Sequence, residues 1–170
     1  MSSIITKIIS LLLVLHAGQL WALASDTEQP INIDSDNAVY DEKQQTSTYI
    51  GHVIATQGSI KVDADKLVVY MKDGNVTKMV ATGQPSRFRQ LPAEGKDEMF
   101  GEGLTNEYYP DQNLIIFMHK ASVWQGDAKQ SSDYIQYDTK NSLLKAGEAN
   151  NDSKRVHSVI KPKSKDVKAK

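Results

Sequence analysis

Cysteine is absent from all 170 residues, which excludes disulfides, thiol nucleophiles and thiolate metal sites. Stability must therefore come from packing and hydrogen bonding. Long apolar runs are scarce as well. The strongest, Ile8-Ile9-Ser10-Leu11-Leu12-Leu13-Val14-Leu15, is too short to span about 30 Å of hydrocarbon, and His16, Gly18 and Gln19 interrupt it. There is no Gly-x-Ser-x-Gly elbow and no glycine loop placed to cradle a phosphate before a helix. Nowhere does a capped stretch long enough for a helix carry a helical apolar stripe, so helix is a minor element at most.

What is present begins with an export signal. Lys7 precedes the short apolar core, and Ala22-Leu23-Ala24 forms a small-x-small cleavage site, which predicts a cleaved signal peptide over residues 1–24. No cysteine follows that site, so lipid attachment to a new N-terminal cysteine is excluded. An uncleaved anchor is the competing reading, disfavoured by the shortness of the run. The remaining 146 residues suit a single domain, placed here at residues 25–150. The formal net charge of −1 conceals an uneven distribution. Residues 154–170 hold seven cations against Asp166 alone, whereas residues 25–153 hold twelve cations and twenty acids. The basic end, residues 151–170, also contains Pro162 and reads as a mobile tail, able to touch phosphates or a membrane surface or simply to solubilise.

Between residue 31 and about residue 148 the pattern is that of short strands divided by turns. Ile31-Asn32-Ile33-Asp34 alternates with period two, as do Ile60-Lys61-Val62-Asp63-Ala64-Asp65 and Ser132-Asp133-Tyr134-Ile135-Gln136-Tyr137. Leu67-Val68-Val69-Tyr70 and Leu114-Ile115-Ile116-Phe117-Met118 are denser. Turn signals separate the runs at Gln57-Gly58, Asp73-Gly74-Asn75, Pro110-Asp111-Gln112-Asn113 and Gly126-Asp127. A weak repeat is also visible. Asp36…Tyr40, Asp65…Val69, Leu104…Tyr108 and Asp133…Tyr137 each place an aromatic or β-branched residue four positions after the start, and the starts fall 29, 39 and 29 residues apart. Such a repetitive antiparallel sheet must bury one face, either as a sandwich or barrel or as an open-ended roll.

The candidate chemistry is thin. His16 leaves with the signal, His157 lies in the basic tail, and His52 and His119 are read as exposed strand residues without metal-ligand spacing. Asp34 with Asp36, and Asp63 with Asp65, share a strand face but lack the oxygen count for calcium and are read as marking the wet side. No catalytic residue, metal or cofactor is assigned. Nucleic acid is disfavoured because the β region is acidic. Were the interior to hold acyl chains, Phe88 and Tyr108 would line it, each buried methylene being worth about 0.8 kcal/mol. Ordinary core packing accounts for the same aromatics equally well.

Several stretches together resemble a known family. They are Gln29-Pro30-Ile31-Asn32-Ile33-Asp34-Ser35-Asp36, Gly51-His52-Val53, the run from Gln57 to Leu67, Gly83-Gln84-Pro85 with Phe88, and Gly126-Asp127. Over residues 27–150 the chain is similar to the OstA-like family of periplasmic lipopolysaccharide-export proteins. The resemblance implies an all-β fold: an elongated, twisted antiparallel β-jellyroll, open-ended, with an apolar interior groove. It also implies a soluble periplasmic protein of a Gram-negative cell, which shields the lipid A moiety of lipopolysaccharide. Its implied partners are an inner-membrane-anchored OstA-like protein, the periplasmic domain of the outer-membrane translocon, and further copies stacked head to tail. Carried over residue by residue, Ile31, Ile33, Phe88 and Tyr108 would line the groove, and alternation adds Ile60, Val62 and Phe117. The alternative is a structural β-adaptor with a closed, packed core that docks partners through its edge strands.

Overall fold

Period-two alternation governs nearly the whole chain. The computed structural model describes residues 26–147 and 155–160, and apart from two 3₁₀ turns, Asp26–Glu28 and Pro110–Gln112, its regular structure is all strand. The expected signal peptide lies outside the described residues. The strands are β1 (Ile31–Asp34), β2 (Asn37–Asp41), β3 (Thr46–Gln57), β4 (Ile60–Lys72), β5 (Asn75–Gln90), β6 (Met99–Tyr109), β7 (Leu114–Gln125), β8 (Ala128–Asp138), β9 (Leu143–Ala146) and β10 (His157–Val159). Two-residue turns join β3 to β4, β4 to β5 and β7 to β8. At the β4–β5 turn Asp73 and Gly74 both have positive φ, 51° and 80°. That pair of angles matches the right-handed twist of the flanking strands, and Asp-Gly tolerates it best. Short connections make chain neighbours pair. All pairings are antiparallel, in the order β1-β3-β4-β5-β6-β7-β8-β10, with β2 also on β3 and β9 also on β8.

Each long strand is interrupted near its middle, and these interruptions line up. Register shifts fall between Ile50 and Val53, Asp63 and Lys66, Thr82 and Ser86, Glu102 and Thr105, and Met118 and Ala121. Bulges bend a strand, and a row of them folds this sheet across its middle into two half-sheets. β1 and β10 flank one half, β2 and β9 the other. That the halves face each other is shown by Phe117 of one half meeting Phe88 of the other, ring centroids 5.8 Å apart at 71°. The four starts of the sequence repeat, Asp36, Asp65, Leu104 and Asp133, all lie on this bend, so the repeat records the bend recurring hairpin by hairpin.

Buried polar groups pin the bend. Ser86, fully buried, donates its hydroxyl to the Gly103 carbonyl at 3.2 Å and accepts from Asn106 Nδ2 at 2.7 Å. The same amide donates to the Ser86 carbonyl at 3.1 Å. Asn106→Ala strands these acceptors and is expected to lower stability by about 1–3 kcal/mol in urea denaturation. An unchanged midpoint would show the pin to be dispensable.

One segment departs from expectation. Within the basic end read as a mobile tail, His157–Val159 forms an edge strand on β8, with His157 opposite Ser131 and Val159 opposite Lys129. The physical reason is that β8 would otherwise leave one row of backbone groups open along this half, and Val156, Val159 and Ile160 supply strand-forming side chains. Residues 148–154 and 161–170 lie outside the described residues.

Candidate functional site

The inner faces of the two half-sheets form one apolar cluster. Val53, Ile60, Leu67, Val69, Phe88, Met99, Ile115, Phe117, Ile135 and Tyr137 are among its buried members. All seven residues singled out in the sequence lie in it. Ile60, Phe88, Tyr108 and Phe117 are buried, and Ile31, Ile33 and Val62 are partly buried against them. Sequence reasoning missed Val53, Leu67, Met79, Met99, Ile115 and Ile135. The signal for them was present but reversed in phase. On β4 the inward residues are Ile60 and Val62, then Leu67 and Val69, because the bulge at Asp63–Lys66 swaps the faces.

The interior is closely filled. One hollow of about 20 Å³ is bounded by Ile31, Ile60, Val62 and Tyr108, and another of about 30 Å³ by Leu67, Phe88, Asn106 and Ile115. Each has about one water's worth of room. By contrast, the far edges of the two halves part around an open cavity of about 580 Å³, lined by Asp26, Gln90, Glu94, Asn113, Thr139 and Lys140. Its wall is a polar network. Asp26 accepts from the Ser59 backbone at 2.6 Å, the Ser59 hydroxyl at 2.8 Å and Gln90 Nε2 at 2.8 Å. Between network and apolar interior stands Tyr108, whose hydroxyl donates to Gln57 Oε1 at 3.4 Å. Burial, and then the Asp26 charge, push its phenol up to about 12, so it remains a neutral donor.

Among the described residues, both ends of the sheet are open. Every large hydrophobic that is exposed among the described residues lies on β2, β3 or β4 near the first edge, or on β9, β10 and the residues flanking β10 at the last. Val39 and Tyr40 are each 61% exposed and Ile160 81%. Apolar surface concentrated beside unpaired strand edges is unusual for a chain that stands alone, because such edges are normally blunted or covered.

The two strand histidines are exposed, as expected, but each sits on the bend in left-handed backbone, φ 44° at His52 and 61° at His119. His52 Nδ1 lies 2.7 Å from the Asp36 carboxylate, and His119 Nδ1 lies 3.6 Å from that of Asp133. The hydrogen bond to Asp36, and then its charge, hold His52 above its ordinary value of 6.5, with a smaller contribution from Asp65. A raised folded value means that this pair's contribution is fully present below about pH 6.5 and fades as pH rises through the folded value. An NMR titration is expected to show the His52 midpoint falling on Asp36→Asn; an unchanged midpoint would remove Asp36 as the cause. Among the described residues no group of three or more His, Asp or Glu side chains is placed to hold a metal ion. No helix among them is long and apolar enough to cross a membrane.

A bent antiparallel sheet with an apolar inner face and, among the described residues, two unpaired edges defines an open-ended β-jellyroll of the OstA-like kind. The chain matches the family described as LptA/(LptD N-terminal domain) LPS transport protein over residues 32–142. It is 34% identical to the lipopolysaccharide export system protein LptH of Pseudomonas aeruginosa over 164 residues, covering 93% of this chain and 94% of that one. Identity to the lipopolysaccharide export system protein LptA of Escherichia coli K12 is 33% over 165 residues, 92% of this chain and 88% of that one. The crystal structure of LptH, described as the LptA-homologous periplasmic component of the lipopolysaccharide transport device of P. aeruginosa, superposes with a TM-score of 0.76 at 33% identity. It covers 81% of this chain and 99% of that one. The chain belongs to the LptA/LptH family.

Proposed function

We propose that this chain is a non-enzymatic periplasmic transport protein for lipopolysaccharide. Lipid A acyl chains are held between its half-sheets, and its open edges bridge an inner-membrane-anchored partner to the periplasmic domain of the outer-membrane translocon. Copies stack head to tail to span the distance. The observation that carries this reading is the single apolar inner face, which runs across the sheet from the first edge to the last, both edges being unpaired among the described residues. Ile31, Ile33, Ile60, Val62, Phe88, Tyr108 and Phe117 are the acyl contacts. That the related LptA of Escherichia coli and LptH of Pseudomonas aeruginosa are lipopolysaccharide export system proteins supports the cargo.

The filled interior sets a condition. Hollows of about 20 and 30 Å³ do not admit an acyl chain, so loading requires the half-sheets to part. A dozen methylenes would return about 10 kcal/mol of gross transfer energy, enough to offset the loss of several side-chain contacts. The same filled interior favours a second reading, a β-adaptor with a permanently closed core. Photocrosslinking in cells separates the two, with the probe at Phe88 inside and at Lys61 outside, where it pairs with Asp63 at 2.9 Å. A lipopolysaccharide adduct at Phe88 and none at Lys61 is expected. Protein-only adducts at both sites, with the probe proteins folded and expressed, would establish the adaptor instead.

A further inference from the structure

We propose that the open cavity is the vestibule of the apolar interior and that Gln90 chooses the lipid entering it. Its side-chain carbonyl accepts a hydrogen bond from a hydroxyl or amide N–H where acyl chain meets sugar. A phosphoglyceride, whose ester junction offers acceptors alone, is refused. The inference rests on the transport reading above and adds a choice of lipid to it. Gln90 ends β5 and is 6% exposed. Its Nε2 donates to Asp26 Oδ2 at 2.8 Å. A carboxylate accepts and does not donate, so the amide nitrogen faces Asp26 and the carbonyl oxygen is the free end. That oxygen, Oε1, is shut off from solvent and meets no donor. Leaving a buried acceptor unmet is costly, and native structures keep few such atoms. Among the described residues one other side-chain atom is in this state, Asn106 Oδ1. It belongs to the wall of the hollow of about 30 Å³, which has room for a single water. Gln90 instead lines the cavity of about 580 Å³, a volume that takes a sugar ring and its substituents.

Position and chemistry agree. Ile60 lines both this cavity and the hollow of about 20 Å³ beside Tyr108, so vestibule and interior adjoin across one side chain. An amphiphile with its chains between the half-sheets and its head in the cavity has its junction beside Gln90. The cavity wall is rich in acceptors. Asp26 and Glu94 present carboxylates, and the Thr139 hydroxyl spends its hydrogen on the Asn113 carbonyl at 3.1 Å, leaving its lone pairs free. Against the two carboxylates stands one ammonium among the described residues of the wall, that of Lys140. Such a balance disfavours a phosphate and calls for a ligand that donates. Sugar hydroxyls and an acyl amide do so. An ester junction leaves the Gln90 carbonyl unmet and adds acceptors of its own against an acceptor wall, which is how a site rejects the wrong ligand. Asp26 is a positioning residue here, because it fixes which end of the Gln90 amide is free.

The test is equilibrium binding of lipopolysaccharide and of dimyristoyl phosphatidylcholine, which has no donor, to the mature chain and two variants in one detergent. The quantity read is the ratio of the two affinities. Gln90→Met removes the free acceptor at similar volume. It is expected to weaken lipopolysaccharide binding about tenfold and to leave phosphatidylcholine binding unchanged. Its urea midpoint should equal or exceed that of wild type, because an unmet buried acceptor is lost. Asp26→Asn lets the Gln90 carbonyl accept from the substituted amide and turns Nε2 to the free side. This variant should bind lipopolysaccharide more weakly and phosphatidylcholine more tightly, shifting the ratio about tenfold or more. Should Gln90→Met fold poorly, the ratio for Asp26→Asn decides alone. A wild-type ratio in the folded variants would overturn the proposal and leave the cavity to water. Wild type that binds neither lipid would instead overturn the transport reading itself.

Discussion

Phe117→Ala is expected to be among the most damaging single changes in the molecule, lowering stability by about 3–5 kcal/mol and Tm by about 10 °C or more. Phe117 is wholly buried, and it projects from one half-sheet onto the other. The two rings meet edge to face with their centroids 5.8 Å apart. Deleting the ring removes the transfer energy of a large side chain and leaves a cavity between two sheets held apart by their own backbones. Differential scanning calorimetry would measure it. A loss below about 1 kcal/mol would mean that the half-sheets collapse to fill the gap, as they would if their separation were soft.

Gly101→Val tests the same contact from the opposite side. A Cβ built at Gly101 would land on the Phe117 ring, against Cε1 and Cζ. Glycine is needed at this strand position because of that close approach, not for any special backbone angle. The valine is expected to cost about 1–3 kcal/mol by overpacking, or more if the half-sheets cannot part. Combined with Phe117→Ala, the cost should fall well short of the sum, with a coupling of about 1 kcal/mol or more in a double-mutant cycle. Additive losses would show that the two positions do not share a space. Under the transport reading, Gly101→Val also bears on loading, because it wedges the halves where Phe88 would meet an acyl chain.

The antiparallel all-β sheet was legible because each hairpin alternates locally and each turn names itself, whereas the open-ended β-jellyroll was implied by the family resemblance and not by the alternation. Asp73-Gly74 is a clear case, and the inward direction of Ile60, Val62 and Phe117 follows from two or three neighbours alone. The phase reversal at the bend was not legible. Whether Asp63–Lys66 holds one extra residue or two depends on the strands beside it, and register is a property of pairs. Tyr40 shows the same limit. It occupies the position in its repeat that Tyr108 and Tyr137 bury in theirs, yet it is 61% exposed, because β2 is an edge strand paired only with β3 and exposed along nearly its whole length. At β10, three residues in a lysine-rich segment carry too little pattern to be recognised, and only the open row on β8 gives them a place. The polar cavity wall was invisible for another reason: Asp26, Ser59 and Gln90 meet across 33 and 64 positions of sequence.

The row of bulges also governs how this chain tolerates insertion and deletion. In a flat strand, one added residue sends every later side chain to the wrong face until the strand ends. Here each long strand already changes count at mid-length, where the backbone is bent and its neighbours are out of step. A length change at Gly83–Pro85 or Gly103–Leu104 would therefore be absorbed where it arises, leaving the side chains beyond it facing as before. The bend works as a joint in the molecule's arithmetic, allowing each half-sheet to be rewritten without forcing a correction on the other.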